Sequence, residues 1–596
     1  MPENSTPLVL PATTEGSLAD LPSRWATAEP DRVTFSKRAG SGWSDVTART
    51  FATEVAELAK GFIAAGIAPG EVVGIMSRTR YEWTVVDFAL WSAGAVPVPI
   101  YETSSTDQVE WILSDSGAVG VVVETPAHQA AVDSVRERVA GLREVWGIDA
   151  GDLATLRLDG ADVDDAELEA RRSGLDRDAL ATIIYTSGTT GRPKGAQLTH
   201  GNFLTLAENT AEKLPEVIKA DGASTLLFLP LAHVFARLIE VLAVTGGVRM
   251  GHSSDLKTLL DDFAAFKPTF ILAVPRVFEK VYNSAEAKAE AGGKGKIFAG
   301  ATATAIAWSE AQEAGSVPLG LKLRHAVFDK LVYGKLRDAM GGRVQYAVSG
   351  GAPLGTRLGH FFRGIGVTIL EGYGLTETTA PATVNLPSAI RIGTVGVPLP
   401  GVSVKIADDG EVLIQGVNVF RGYHGNDAAT AEAIRDGWFH TGDIGDVDAD
   451  GFLKITGRKK EILVTAGGKN VAPAVLEDRL RAHPLVSQCI VVGDAKPFIA
   501  ALVTLDEEMY PGWAANHGLE GVPFAAARTD ERVIAEIQKA VDDANTAVSK
   551  AESIRKFAIL DTDFTEETGH LTPSLKLKRN VVMRDFGDEV DALYGG

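Results

Sequence analysis

The sequence predicts an α/β fold: a large N-terminal region of βαβ subdomains closed by a small β-barrel-like unit, then a small α+β domain at the C-terminus. Three observations predict it. From Glu71 onward, short apolar runs alternate with helical stretches ("VVGIM", "YEWTVVDFALWSAG", "VPVPIY", "VGVVVE"), the pattern of strands and crossover helices on a mostly parallel sheet. After Gly393 the texture changes to "VSVKIADDGEVLIQG" and "WFHTGDIGDVDADGFLKITG", alternating strands joined by Asp-Gly turns, hence hairpins. Beyond Gly457 a helix opens at Pro473 and is followed by the strands "SQCIVVGD" and "AALVTL". The boundary falls near Arg458, dividing residues 1–457 from 458–596.

Taken in order, four further apolar runs end where glycine and polar residues begin. They are "ATIIY" before a Ser/Thr/Gly loop, "TFILAV" before Pro275, "VQYAV" before "SGGAPLG", and "GVTIL" before "EGYGLTE". Open α/β sheets bind ligands just beyond the carboxyl ends of their strands, so these loops are expected to line one crevice. Between Asn283 and Gly341 lies an Ala-rich and Lys-rich stretch that reads as a helical excursion on the surface.

Composition excludes several function classes. The chain has 596 residues, 45% of them hydrophobic and 23% charged, enough for more than one buried core. With 58 Lys plus Arg against 78 Asp plus Glu, the net charge of -20 repels phosphate backbones and argues against nucleic acid as a partner. Cys489 is the only cysteine, so no internal disulfide or paired-cysteine metal site can form; a reducing, cytoplasmic setting fits. Residues Met1 to Asp20 lack a basic start with an apolar core, and no run approaches the ~20 apolar residues that cross a bilayer. Membrane contact would therefore be peripheral, and the sequence is equally compatible with a homodimer.

The strongest chemical signal is "YTSGTTGRPKG", Tyr185 to Gly195. Glycines (Gly188, Gly191, Gly195) let backbone N–H groups curl around an anion, the hydroxyls of Thr186, Ser187, Thr189 and Thr190 donate to it, and Lys194 adds a point charge: a phosphate cradle. The Walker A pattern does not fit, because Pro193 precedes Lys194 and Gly195 follows it. The string resembles, almost letter for letter, the signature loop of the adenylate-forming (AMP-binding) superfamily of acyl-CoA synthetases, luciferases and peptide-synthetase adenylation domains.

Further motifs of that superfamily follow in order, and the resemblance covers roughly Val33 to Val582. It implies that Gly350 and Gly351 of "SGGAPL" lie against adenine. In "EGYGLTET", Glu371, Gly372 and Gly374 flank the nucleotide while Tyr373 stacks on the base. Thr376 bonds the α-phosphate, and Glu377, with Thr186, holds Mg²⁺. An aromatic face, a hydroxyl and a hard carboxylate suit base, phosphate and Mg²⁺. By the same resemblance Asp443 and Arg458 hold the ribose hydroxyls, and His233 of "LPLAHVFAR" stands near the incoming carboxylate, a position where a lone histidine could equally be structural.

Two C-terminal pieces complete the implied mechanism. "LTPSLKLKR" is similar to the superfamily's terminal lysine motif, with Leu575-Lys576 in place of the usual Gly-Lys; Lys576 is the candidate catalytic lysine and Lys578 the competing assignment. "TAGGKNVAP" resembles the loop lining the pantetheine tunnel, with Gly467, Gly468 and Lys469 toward coenzyme A. The small domain is implied to be mobile, rotating about a hinge near 458–460, with Lys460 as its pivot and itself near the nucleotide. "PRVFEKVYN" and "LPLAHVFARLIE" look like the long-chain fatty acyl-CoA ligase branch, including bacterial and bubblegum-type members. The expected substrates are a fatty acid, ATP with Mg²⁺, and coenzyme A. The alternatives are a fatty acyl-AMP ligase, a CoA ligase for a medium-chain or aromatic acid, and a catalytically dead nucleotide-binding scaffold; the last is opposed by the presence of Lys194, Glu377, Asp443 and Lys576.

Overall fold

The structure, a computed structural model, describes residues 3–40, 42–186, 192–255, 257–572 and 576–595. The first βαβ run forms a parallel sheet in the order Val96–Ile100, Val72–Met76, Gly120–Val123, Glu144–Gly147. Every residue of its first two strands is buried, as expected for a sheet covered on both faces. Pro97 and Pro99 cannot donate to a ladder, and their strand sits at the sheet edge. The crossover helix Tyr81–Ser92 is buried almost all round and packs against Val234–Gly246 through a charged joint. There Arg237 Nε donates to Asp87 at 2.9 Å, and the guanidinium lies 5.4 and 5.2 Å from the Trp83 and Trp91 rings. Both charges are fully buried, so removing one would leave the other uncompensated.

The second sheet carries the predicted crevice loops. Phe270–Ala273, Tyr346–Ser349 and Thr368–Leu375 are parallel, and Ala380–Val384 and Val397–Pro398 extend the sheet antiparallel. The "ATIIY" segment departs from the parallel expectation: Leu180–Thr186 pairs antiparallel with Lys194–Thr199, whose other edge takes Gly422–Tyr423. The signature motif is thus flanked by two strands paired antiparallel to each other. The predicted hairpin unit is an antiparallel sheet of Val402–Ile406, Glu411–Gly416, Trp438–Val447 and Leu453–Arg458, with the N-terminal Glu3–Thr6 added at its edge.

The 283–341 region is helical, as expected. It comprises the end of Pro275–Ala291, then Gly295–Glu313, Leu319–Phe328, a π-helical turn at Asp329–Tyr333, and Gly334–Ala339. Phe298, Tyr333, Phe361 and Phe362 form its core against Ile271 and Ala347 of the second sheet. From Leu463 the chain builds separate cores around Val486–Val492, Ile499–Leu505 and Ile554–Ile559. Cys489 is buried there; burial pushes its thiol up, which leaves it unreactive. Two ion pairs tie this body to the larger one: Arg276 to Asp506 at 2.7 Å and Lys280 to Glu508 at 2.8 Å.

Candidate functional site

At the base of the signature hairpin, Thr186 Oγ1 donates to the Lys194 carbonyl at 3.4 Å. Ser187, Gly188, Thr189 and Thr190 lie outside the described residues. Gly195 admits no side chain, because a Cβ there would stand 2.6 Å from the Ile183 Cγ2. The Lys194 ammonium lies 5.0 Å from the Tyr423 ring centroid, and the Tyr423 hydroxyl donates to Glu377 Oε1 at 2.7 Å. Tyr423 therefore joins the phosphate-loop lysine to the expected Mg²⁺ ligand. Trp111 braces the loop's other side: its Nε1 donates to the Pro193 carbonyl at 2.9 Å, and the Arg192 guanidinium stacks 4.7 Å from its ring. Sequence reasoning missed both aromatics, since each lies far from the loop in sequence and outside any motif.

The next wall is Thr368–Leu375, which runs on through "EGYGL". A ladder irregularity falls between Tyr373 and Gly374, and a Cβ on Gly374 would stand 1.7 Å from the Ala380 carbonyl oxygen, so only glycine fits. Gly372 is crowded in the same way, 3.0 Å from the Thr383 carbonyl. Gly350 abuts the Phe235 ring, and Gly351 needs the left-handed φ of +86°. Glu371 accepts from the Leu354 N–H at 3.1 Å; burial pushes its carboxyl up to about 7, and the charge of Asp478 from the C-terminal body adds to this.

Tyr373, Asp443 and Arg458 form one row. The Tyr373 hydroxyl donates to Asp443 Oδ2 at 2.6 Å and Arg458 Nε donates to Asp443 Oδ1 at 2.9 Å. The last contact follows from register, because Asp443 and Arg458 are directly opposed across an antiparallel pair. Burial and the neighbouring carboxylate hold the Tyr373 phenol well above its ordinary range, so it stays a neutral donor.

Lys576 reaches the same crevice from the C-terminal body. Its backbone is fixed against Thr572: Thr572 N–H donates to the Lys576 carbonyl at 2.8 Å and Lys576 N–H donates to Thr572 Oγ1 at 3.0 Å. Leu575 lies outside the described residues. Lys576 keeps solvent-exposed surface but stands in a cleft walled by protein. Enclosure, then the Arg458 charge, pushes its ammonium down, while Asp443, Glu377 and Glu461 oppose this. His233 is the N-cap of Val234–Gly246, its Nδ1 accepting from the Phe235 N–H at 3.2 Å, so the proton of the neutral ring sits on Nε2. Burial, then the nearby Lys576 charge, pushes it down to about 3. The structure thus gives His233 both readings, a capping residue and a neutral group at the crevice. Thr376 opens the short turn Thr376–Thr378 that carries Glu377.

Among the described residues no cluster of three or more acidic, His or Cys side chains could cage a metal ion. A single buried carboxylate, Glu377, steadied by Tyr423 beside a phosphate loop, still suits Mg²⁺, which binds through one or two carboxylates plus substrate phosphates. The predicted coenzyme A loop lies apart in this arrangement. Gly467, Gly468 and Lys469 are exposed, and the loop's recorded polar contacts stay within the C-terminal body: Ala466 N–H to the Lys496 carbonyl and Lys469 to Glu552 at 3.2 Å. Lys460 is exposed in the turn Lys459–Glu461 that follows the last strand of the larger body. A separate cavity of about 370 Å³, lined by Trp308, His325, Arg337 and Arg363, contains none of the predicted site residues.

Comparison with known proteins gives the family. The family described as "AMP-binding enzyme" matches residues 22–424, and "AMP-binding enzyme C-terminal domain" matches residues 460–596. A long-chain-fatty-acid–CoA ligase, FadD15 of Mycobacterium bovis, is 54% identical over 570 residues, 95% of each chain. The Xenopus laevis long-chain-fatty-acid–CoA ligase ACSBG2 is 30% identical, covering 95% of this chain and 82% of its own. Among solved structures, the adenylation domain of a Mycobacterium chelonae carboxylate reductase superposes with a TM-score of 0.75 at 23% identity, covering 99% of this chain and 92% of that one. The ATP-bound MatB of Rhodopseudomonas palustris superposes with a TM-score of 0.71 at 22% identity, over 96% and 99%. With residues 22–424 and 460–596 matching the two family descriptions in turn, and a relative 54% identical over 95% of its length, this protein belongs to the AMP-binding enzyme family.

Proposed function

We propose that this protein is an ATP-dependent long-chain fatty acid–CoA ligase, forming acyl-adenylate and then acyl-CoA, AMP and pyrophosphate. The observation that carries the reading is that Lys576, from the C-terminal body, lies within electrostatic reach of Glu377, Asp443, Arg458 and His233 of the larger one. The 54% identity to FadD15 supports the long-chain acid as substrate.

In the first half-reaction a substrate carboxylate oxygen attacks the α-phosphorus of ATP, forming the acyl-phosphate bond as the bond to pyrophosphate breaks. The enzyme forms no covalent bond; its residues position and neutralise. Lys576 offsets the repulsion between carboxylate and phosphate, and the Nε2–H of neutral His233 can donate to the carboxylate. Asp443, once released from the Tyr373 hydroxyl, can accept from both ribose hydroxyls. Glu377 and Thr186 would hold Mg²⁺, which would neutralise charge on the phosphates. In the second half-reaction the coenzyme A thiol, losing its proton, attacks the acyl carbonyl and AMP leaves. This step calls for the Gly467–Lys469 loop in place of Lys576, brought about by rotation of residues 458–596 about Arg458–Lys460. We also read the enzyme as collecting its fatty acid at a membrane surface by peripheral contact.

Incubation with palmitate, ATP, Mg²⁺ and coenzyme A is expected to yield AMP and palmitoyl-CoA in equal amounts, and omission of coenzyme A to leave about one pyrophosphate per enzyme. Absence of AMP with every acid from acetate to lignocerate would overturn the assignment.

A further inference from the structure

Among the described residues, eleven large apolar side chains are exposed, and four of them fall within one 13-residue stretch: Leu319, Leu323, Val327 and Leu331, at 74, 66, 56 and 54%. Their spacing of four places successive members on adjoining turns, so they form a continuous ridge along Leu319–Phe328 and into the π-helical turn. Leu319–Phe328 contains no buried residue. Isolated exposed leucines are ordinary; a ridge of four is a contact surface.

Charge identifies the partner. Lys322, Arg324, Lys330 and Lys335 are all exposed beside the ridge, and none of their side chains makes a hydrogen bond, ion pair or ring contact among the described residues. The one acid interleaved with them, Asp329, is already engaged by Arg337 at 2.7 Å. A protein of net charge -20 has abundant carboxylates with which to pair its cations, yet these four are left free around an apolar ridge. Apolar side chains that can enter the acyl boundary, flanked by unpaired cations at headgroup level, match an anionic bilayer surface. An acidic protein surface would satisfy the cations but would not call for so exposed a ridge.

We propose that the Leu319–Leu331 ridge is the element by which this protein docks on anionic phospholipid membranes. This rests on the reading of the enzyme as a peripheral collector of fatty acid, and names the surface that performs it. The ridge sits on the helical layer whose core is continuous with the Phe270–Ala273 and Tyr346–Ser349 strands, so docking presents the larger body, and not the C-terminal one, to the lipid.

The test is co-sedimentation of the full chain with phosphatidylcholine vesicles and with vesicles containing phosphatidylglycerol, alongside the solution mass from sedimentation equilibrium. Binding is expected only to the anionic vesicles and to fall with added salt. L323D/V327D is expected to weaken it at least tenfold, and each of K322Q, R324Q and K330Q about fivefold. Activity on detergent-dispersed palmitate should be unchanged in all of them, which separates loss of docking from loss of fold or of the proposed chemistry. Failure to bind anionic vesicles, binding indifferent to these substitutions, or a wild-type dimer that L323D/V327D converts to monomer would each overturn the proposal.

Discussion

At the scale of single residues, Lys576 separates the two half-reactions. Its ammonium already lies near Asp443, Glu377 and Glu461, and in the proposed mechanism it also offsets the repulsion as carboxylate and α-phosphate converge, so Lys576→Ala is expected to slow adenylate formation about a hundredfold to a thousandfold, the range seen when one preorganised donor is removed. Thioester formation from supplied acyl-adenylate should be nearly unchanged. Equal loss in both reactions would instead mean a structural role. Because Arg458 helps push the Lys576 ammonium down, Arg458→Gln should move the alkaline limb of the adenylation pH profile upward, whatever it does to ATP affinity. The sign follows from removing a like charge beside a cation, which favours its protonated form.

At the scale of elements, the ladder irregularity of Thr368–Leu375 brings Gly374 against the paired strand, in the segment proposed to face adenine. Gly374→Ala places a methyl group where the Ala380 carbonyl stands, and backbone cannot yield as a flexible side chain can. The expected cost is about 1–3 kcal/mol of stability with a raised KM for ATP, read by denaturant titration and initial rates. The turn Lys459–Glu461 tests the hinge. Lys460→Pro fixes one dihedral that rotation would have to change, so adenylation is expected to persist while thioester formation falls. Parallel loss of both would place the pivot elsewhere.

At the scale of the whole molecule, the contact between the two bodies is itself titratable. Glu371 belongs to the larger body and Asp478 to the C-terminal helix Pro473–Arg481; burial pushes each carboxyl up to about 7, and Asp478 adds to the shift at Glu371. Groups whose pKa is raised in one arrangement stabilise it below their ordinary pKa, and that stabilisation is lost as pH rises through the raised value. The observed arrangement should therefore lose population as pH rises from the ordinary carboxylate range to about 7, in favour of one in which these carboxyls are solvated. Interdomain energy transfer between labels on the two bodies would report this, and Asp478→Asn is expected to flatten the dependence. An unchanged slope in that variant would assign the effect to other groups.

The sequence by itself determined the local chemistry. Strand-then-glycine boundaries placed the crevice loops, because apolar runs and turn residues obey short-range rules, and the Asp-Gly turns of "WFHTGDIGDVDADGFLKITG" already implied hairpins there, although the register that sets Asp443 opposite Arg458 came from the structure. Only the tertiary structure decided what stands opposite what. Nothing near Lys194 announces Tyr423, nothing near Pro193 announces Trp111, and the antiparallel return of the signature hairpin is invisible to an apolar pattern that serves either strand direction. Arg276 and Lys280 read as ordinary helix charges until Asp506 and Glu508 of the other body are seen to meet them. Periodicity reports burial along one element, whereas partners hundreds of residues away are chosen by the packing of whole elements, and here that packing brings Lys576 near Arg458, Asp443 and Glu377.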